Sequence, residues 1–227
     1  MSKHWKKWGC FVLVILSLFG IARVYYRLTD DFRMANMTYS LPFEAPWKAP
    51  SLSLEEAQNL QQILDQKFSY IGKGAQCYAF VSKDGQYVLK FFKFKHLKPN
   101  FALDYLPSIP PFKAFKESCV DRKMRKLIKV FNGYDLAFRE NRETAKLIYL
   151  HLVPTQNLQM KVMVVDKLGL ERTIDLDEVV FLVQKKGDTL RTRLKSLLNQ
   201  QRIADAKQAM ASILGMYISE YEKGIYV

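Results

Sequence analysis

Ile71-Gly72-Lys73-Gly74-Ala75-Gln76-Cys77-Tyr78-Ala79-Phe80 is followed, after a short polar break, by Tyr87-Val88-Leu89-Lys90. Two glycines one residue apart stand at the end of an apolar, β-prone run that starts at Phe68. A second such run follows them, and Asp84-Gly85 marks a tight hairpin before a third. The reading is three consecutive strands joined by short turns, with a glycine-bearing loop between the first two. A glycine pair lets backbone approach a ligand closely, and successive backbone N–H groups can hold an anion. A glycine-bearing hairpin with no ligand fits the same residues. Lys90 adds a second signal. Val88, Lys90 and Phe92 fall on one face of the third strand, and a lysine in so apolar a strand needs a partner or an exit to water. Lys93 and Lys95 nearby keep an ordinary solvent-facing lysine in play.

Outward from this stretch, the 227-residue chain is 49% hydrophobic, poor in Gly and Pro, and carries a formal net charge of +13. It is long enough for one good-sized core, and its composition excludes a disordered chain. The charge is compatible with nucleic acid, an anionic membrane surface or an acidic partner. Its spread along the sequence and the absence of a nucleic-acid motif argue against the first. Cys10, Cys77 and Cys119 form no paired spacing, and His4, His96 and His151 are scattered. Neither a disulfide framework nor a zinc site follows.

At the amino terminus, Lys3, Lys6 and Lys7 precede an apolar run from Cys10 to Ala22. Extended from Trp8 to Tyr26 it is long enough for a hydrocarbon layer of about 30 Å, with Arg23 reaching toward the interface and aromatic residues at both ends. An uncleaved anchor over residues 1–27 is the preferred reading. A cleaved signal with Gly20 and Ala22 near its processing site, and a buried helix, are the alternatives. Basic residues on both sides leave the orientation open. Residues 28–52, with Pro42, Pro46 and Pro50, read as a linker. Ser53 and Glu56 then form a capping-box signature for a helix. Phe112 to Phe131 reads as a basic amphipathic helix ended by Asn132-Gly133. Such a face suits anionic headgroups, though most basic helix faces are merely solvated. A further helix is expected over Ala137–His151, with Glu143, Leu147 and Leu150 at helical spacing. Two β-rich runs follow at Gln159–Asp166 and Thr173–Val183, then Gln184-Lys-Lys-Gly187 and two helices, the last from about Gln201 to Glu222.

The ordered series of glycine hairpin, strand lysine, helix glutamate and hinge-like Val183–Gly187 resembles the amino-terminal lobe of the protein-kinase-like fold. The resemblance implies an α+β fold: a five-stranded antiparallel sheet with one main helix over residues 53–186, a basic helical insertion at 112–131, and helices of an incomplete second lobe over 187–227. It implies that Gly72 and Gly74 cover phosphate, that Ala79 meets the nucleotide base, and that Lys90 pairs with phosphate and with Glu143. The hinge around Lys185 would bind the adenine edge. ATP would be the cofactor, held weakly and without magnesium. In the family the catalytic aspartate, the metal-binding asparagine and the Asp-Phe-Gly aspartate would fall beyond Val227, after a junction resembling Glu222-Lys-Gly-Ile-Tyr226. The expectation is therefore a membrane-anchored kinase-like chain that transfers no phosphate by itself, facing the cytoplasm if it binds nucleotide. The alternative is a non-catalytic membrane scaffold that binds a protein partner or anionic lipid. No metal site, catalytic residue or nucleic-acid partner is expected.

Overall fold

A computed structural model of the chain describes residues 2–39, 47, 51–97, 105, 107 and 109–222. The prolines at 42, 46 and 50 and the glycine junction at residues 223–226 lie outside them. The chain divides into two compact units, residues 1–186 and 187–227.

The first unit opens with α1 (Ser2–Leu28) and a short turn of helix, α2 (Met34–Met37). Within α1, Trp8–Leu28 is long and apolar enough to cross a membrane, and none of it is buried by the rest of the chain. After α3 (Leu54–Leu64) come β1 (Lys67–Lys73), β2 (Cys77–Ser82) and β3 (Tyr87–Phe92). Then follow α4 (Phe112–Glu140), β4 (Leu147–His151), β5 (Lys161–Val165), β6 (Glu171–Asp175) and β7 (Phe181–Lys185). The strands form one sheet in the order β4-β7-β3-β2-β1-β5-β6.

The expected α+β class holds, and the five-stranded antiparallel sheet is corrected to seven strands in a mixed sheet. β5 pairs with β1 in parallel, and every other neighbouring pair is antiparallel. Two extra strands account for the difference. Thr173–Val183 splits at its turn into the ends of β6 and β7, and Leu147–His151 is a strand where a helix was expected. Leu147, Tyr149 and Leu150 are buried, and the segment pairs with β7 from Leu147↔Gln184 to His151↔Phe181. The expected end of the basic helix at Asn132-Gly133 is also corrected, because α4 continues to Glu140. A glycine inside a helix costs only about 1 kcal/mol. Phe131, Tyr134 and Phe138 keep the apolar stripe running across it against the sheet.

The local devices follow from their residues. Ser53 accepts a hydrogen bond from the Glu56 N–H while the Glu56 carboxylate accepts from the Ser53 N–H, a complete capping box. Gly85 (φ +72°) and Gly169 (φ +83°) take the left-handed conformation that the β2–β3 and β5–β6 turns require.

Each face of the sheet has its own core. On one, Phe68, Tyr78, Phe80, Leu89, Phe91, Phe181 and Val183 pack beneath Leu60, Ile63 and Leu64 of α3. On the other, Cys77, Phe92, Leu150 and Leu182 pack with Leu127 and Phe131 of α4. The segment read as a linker supplies both: Phe32 and Met37 enter the first core and Trp47 the second, where its indole donates to Asn132 Oδ1 of α4 at 2.9 Å.

The second unit is a helical hairpin of α5 (Leu190–Asn199) and α6 (Ile203–Glu222). Thr189 caps α5 by accepting from the Thr192 N–H. Arg202 pairs with Asp205 at the start of α6.

Candidate functional site

Across the sheet, Gly72 of β1 stands opposite Ala79 of β2, Ala79 opposite Lys90 of β3, and Lys90 opposite Leu182 of β7. Directly paired residues share a face, so these four form one transverse row on the side that α4 covers. Lys90 is partly buried, and its ammonium donates to the neutral Gln184 Oε1 at 3.0 Å. It has no carboxylate partner among the described residues.

The other expected site residues lie apart from this row. Glu143 is exposed in the turn between α4 and β4, where its carbonyl accepts from the Lys146 N–H. Lys185 is paired with Tyr87 at the hairpin end of β3, the far end from the glycines. Glu143 and Lys185 both line an open cavity of about 600 Å³, with Arg142, Lys146, Leu147 and Ile148. Of the expected set, Gly72, Ala79 and Lys90 are brought together, and Glu143 and Lys185 line a separate cavity.

Gly74 sits at the tip of the β1–β2 loop, and its polar groups are engaged. Its N–H donates to Cys77 O at 2.8 Å, and its carbonyl accepts from the Lys93 ammonium. Lys93 is buried against the Tyr78 ring, with its ammonium 5.3 Å from the ring centroid. Burial, reinforced by the nearby Lys73 charge, lowers its pKa. On the α4 side, the Cys77 thiol is pushed up to about 11 by burial, so it stays protonated at neutral pH and is no ready nucleophile.

A second cluster gathers where α1 ends, around Asp30-Asp31-Phe32, to which sequence reasoning gave no role. Asp30 and Asp31 follow the helix directly, both with positive φ (57° and 66°). Asp30 accepts from Lys73 at 2.8 Å, from Lys167 at 3.1 Å and from the Tyr70 hydroxyl at 2.9 Å. The hydrogen bond from Lys73 is the largest influence on its carboxyl, which is lowered to about 2 against the opposing effect of burial. Asp31 meets Lys95 and, at 3.2 Å, Arg33. Burial pushes its pKa up, but these cations outweigh that and the net shift is downward. Arg172 of β6 bonds the Tyr25 hydroxyl of α1, and Phe32 plugs into the core beside Tyr78 and Phe80. The available sequence signal was two acids immediately after an apolar helix in a basic chain. Its partners lie as far as 137 residues away.

Among the described residues no group of three His, Cys, Asp or Glu side chains stands close enough to hold a metal ion. In comparisons with known proteins, the chain matches no family model, no curated protein and no solved structure.

Proposed function

We propose that this chain is a single-pass membrane protein whose kinase-like lobe serves as a non-catalytic scaffold, fixed to its membrane helix by the glycine hairpin. The observation that carries this reading is the triple engagement of Asp30, two residues past the helix end, by Lys73 of β1, Tyr70 of β1 and Lys167 of the β5–β6 turn. The lysine between the two glycines is thereby committed to the membrane helix. The Gly74 N–H and carbonyl are committed to Cys77 and Lys93. The Lys73 ammonium and the Gly74 N–H are donors that a phosphate-covering loop would present to its ligand. A rigid joint between a membrane helix and a folded body suits a protein that holds a partner at a fixed distance and angle from the bilayer.

Limited trypsin digestion of the full chain in bilayers tests the joint. Arg27 and Arg33 lie in it, and the junction is expected to resist cleavage in the wild type and to be cut in Asp30→Asn. Equal cleavage of both would overturn the reading.

Weak nucleotide binding on the opposite face is a second reading, favoured by the Gly72–Ala79–Lys90 row and the partly buried ammonium with only an amide partner. It places the lobe on the cytoplasmic side, where ATP is found. Thermal unfolding of the full chain with and without ATP is expected to show a small stabilisation that Lys90→Met removes. Phosphate turnover by the purified chain that Lys90→Ala abolishes would refute the non-catalytic assignment.

A further inference from the structure

A cavity of about 440 Å³ opens at the carboxyl end of the membrane helix, lined by Arg23, Tyr26 and Arg27 of α1, by Asp30 and Asp31, and by Lys73 and Lys95. Arg23, Tyr26 and Arg27 are spaced three and four apart, so one helix face points into it. The charge inside is unbalanced. Each aspartate is already met by two cations, Asp30 by Lys73 and Lys167 and Asp31 by Lys95 and Arg33. Arg23 and Arg27 are exposed and have no acidic partner among the described residues.

The helix end itself does not repel an anion strongly, because its last carbonyls are taken. Tyr25 O accepts from the Thr29 N–H and hydroxyl, and Tyr26 O accepts from the Asp31 N–H at 2.6 Å. The depth of the cavity along the chain is set by the helix. The apolar span ends at Leu28, so Asp30 and Asp31 lie just beyond it, and the long Arg23 and Arg27 side chains extend from its last two turns toward the layer that headgroup phosphates occupy when the helix crosses a bilayer. Guanidinium groups offer paired N–H donors matched to phosphate oxygens, and the flanking lysines add point charge.

We infer that this cavity is a binding site for the phosphate of an anionic membrane phospholipid, with Arg23 and Arg27 as its principal donors. The inference rests on the reading of α1 as a membrane-spanning helix. It adds a lipid-selective site at the joint, distinct from the basic face of α4.

The test uses the full chain in nanodiscs of phosphatidylcholine with a minor fraction of phosphatidylglycerol, released into the gas phase for native mass spectrometry of retained lipid. The wild type is expected to retain phosphatidylglycerol preferentially. Each basic residue near an anionic surface is worth about five-fold, so Arg23→Gln with Arg27→Gln is expected to lower that retention roughly 25-fold. The Arg23→Lys, Arg27→Lys pair should recover most of it. Unchanged melting of the body will show that the glutamine variant is folded, as expected for two exposed side chains. Equal retention by wild type and glutamine variant would overturn the site. So would inorganic phosphate that binds in pure phosphatidylcholine discs and, added to the mixed discs, displaces phosphatidylglycerol, since the ligand would then be a free anion. Extraction of the chain from membranes by alkaline carbonate would sink the spanning reading itself. A chain that resists extraction but shows no lipid preference sinks only the headgroup site.

Discussion

Replacing Phe32 with alanine is expected to destabilise the folded body by about 3.5 kcal/mol, although the residue lies only four positions past the end of α1. Phe32 is 1% exposed. Its ring lies 5.3 Å from that of Tyr78 and 5.0 Å from that of Phe80, with the Arg172 guanidinium 5.8 Å from its centroid. Truncating a buried phenylalanine to alanine costs about 3–5 kcal/mol, the spread reflecting how far the site can collapse. The lower half applies here because Phe32 sits on a short connecting segment that can shift inward, unlike a residue fixed in a central strand. A domain of this size loses roughly 2–4 °C in melting temperature per kcal/mol, so the midpoint should fall by about 7–14 °C. The assay is urea and thermal unfolding of the full chain in mild detergent, followed by circular dichroism. Leu54→Ala, at a position 78% exposed on α3, is the control and should stay within about 0.5 kcal/mol of wild type. A cost below about 1 kcal/mol for Phe32→Ala, with the transition still cooperative, would mean that residues 29–39 are a tether lying on the surface rather than part of the core. The rigid joint would fall with it.

Asp30→Asn should cost about 1 kcal/mol. The full shift from 3.8 to about 2 would correspond to roughly 2.4 kcal/mol at 1.36 kcal/mol per unit, and solvent screening at this surface reduces it. Because the folded carboxyl is lowered, its contribution is present above pH 3.8 and is lost as pH falls toward 2; acid titration of stability should show that slope in wild type and lack it in the variant. His151 is fully buried, with Nδ1 2.9 Å from Val179 O and Nε2 3.1 Å from the Thr155 hydroxyl, which in turn donates to Asp177. Burial lowers its pKa despite the Val179 carbonyl and the Asp177 charge. The unfolded chain therefore takes up the proton first, and stability should be complete above about pH 6.5 and decline as pH falls below it; His151→Gln should flatten that decline. Ser53→Ala removes the α3 cap and should cost about 1 kcal/mol by chemical unfolding.

Much of the sheet was legible because its signals are local. Asp84-Gly85 marks a turn that only a left-handed residue completes, and Ser53 with Glu56 is a capping box readable within four residues. The strand Leu147–His151 was not. Leu147 and Leu150 lie three apart and seemed to extend the period of the preceding helix, whereas their environment is set by β7, more than thirty residues later in the chain. Once the edge of the sheet needs a partner, ladder hydrogen bonds and burial of Tyr149 outweigh helical spacing. The same cause hid the true partner of Lys90. A glutamate at helical spacing was the natural candidate, but with β4 in place Glu143 falls in a solvent-exposed turn, and the amine finds Gln184 on the strand beside it. Asp30 illustrates the limit most clearly, since its meaning depends on Lys73 and Lys167 arriving from two different elements.

The glycine hairpin is where the structural and nucleotide readings compete, and the two faces of the sheet separate them. Lys90 lies in the row beneath α4, whereas Lys93 reaches Gly74 on the side of Tyr78 and the helix joint. An anion beneath the hairpin on the joint side would have to draw Lys73 from Asp30 and Lys93 from the Gly74 carbonyl, breaking the contacts that hold α1. An anion at Lys90 needs only to displace the amide of Gln184. Lys93→Met should therefore loosen the joint, raising tryptic cleavage at Arg33 while leaving any response to ATP intact. Lys90→Met should abolish the ATP response and leave cleavage unchanged. If Lys93→Met instead removes the ATP response, or Lys90→Met exposes Arg33, the two faces are not independent and the hairpin cannot be assigned to the joint alone.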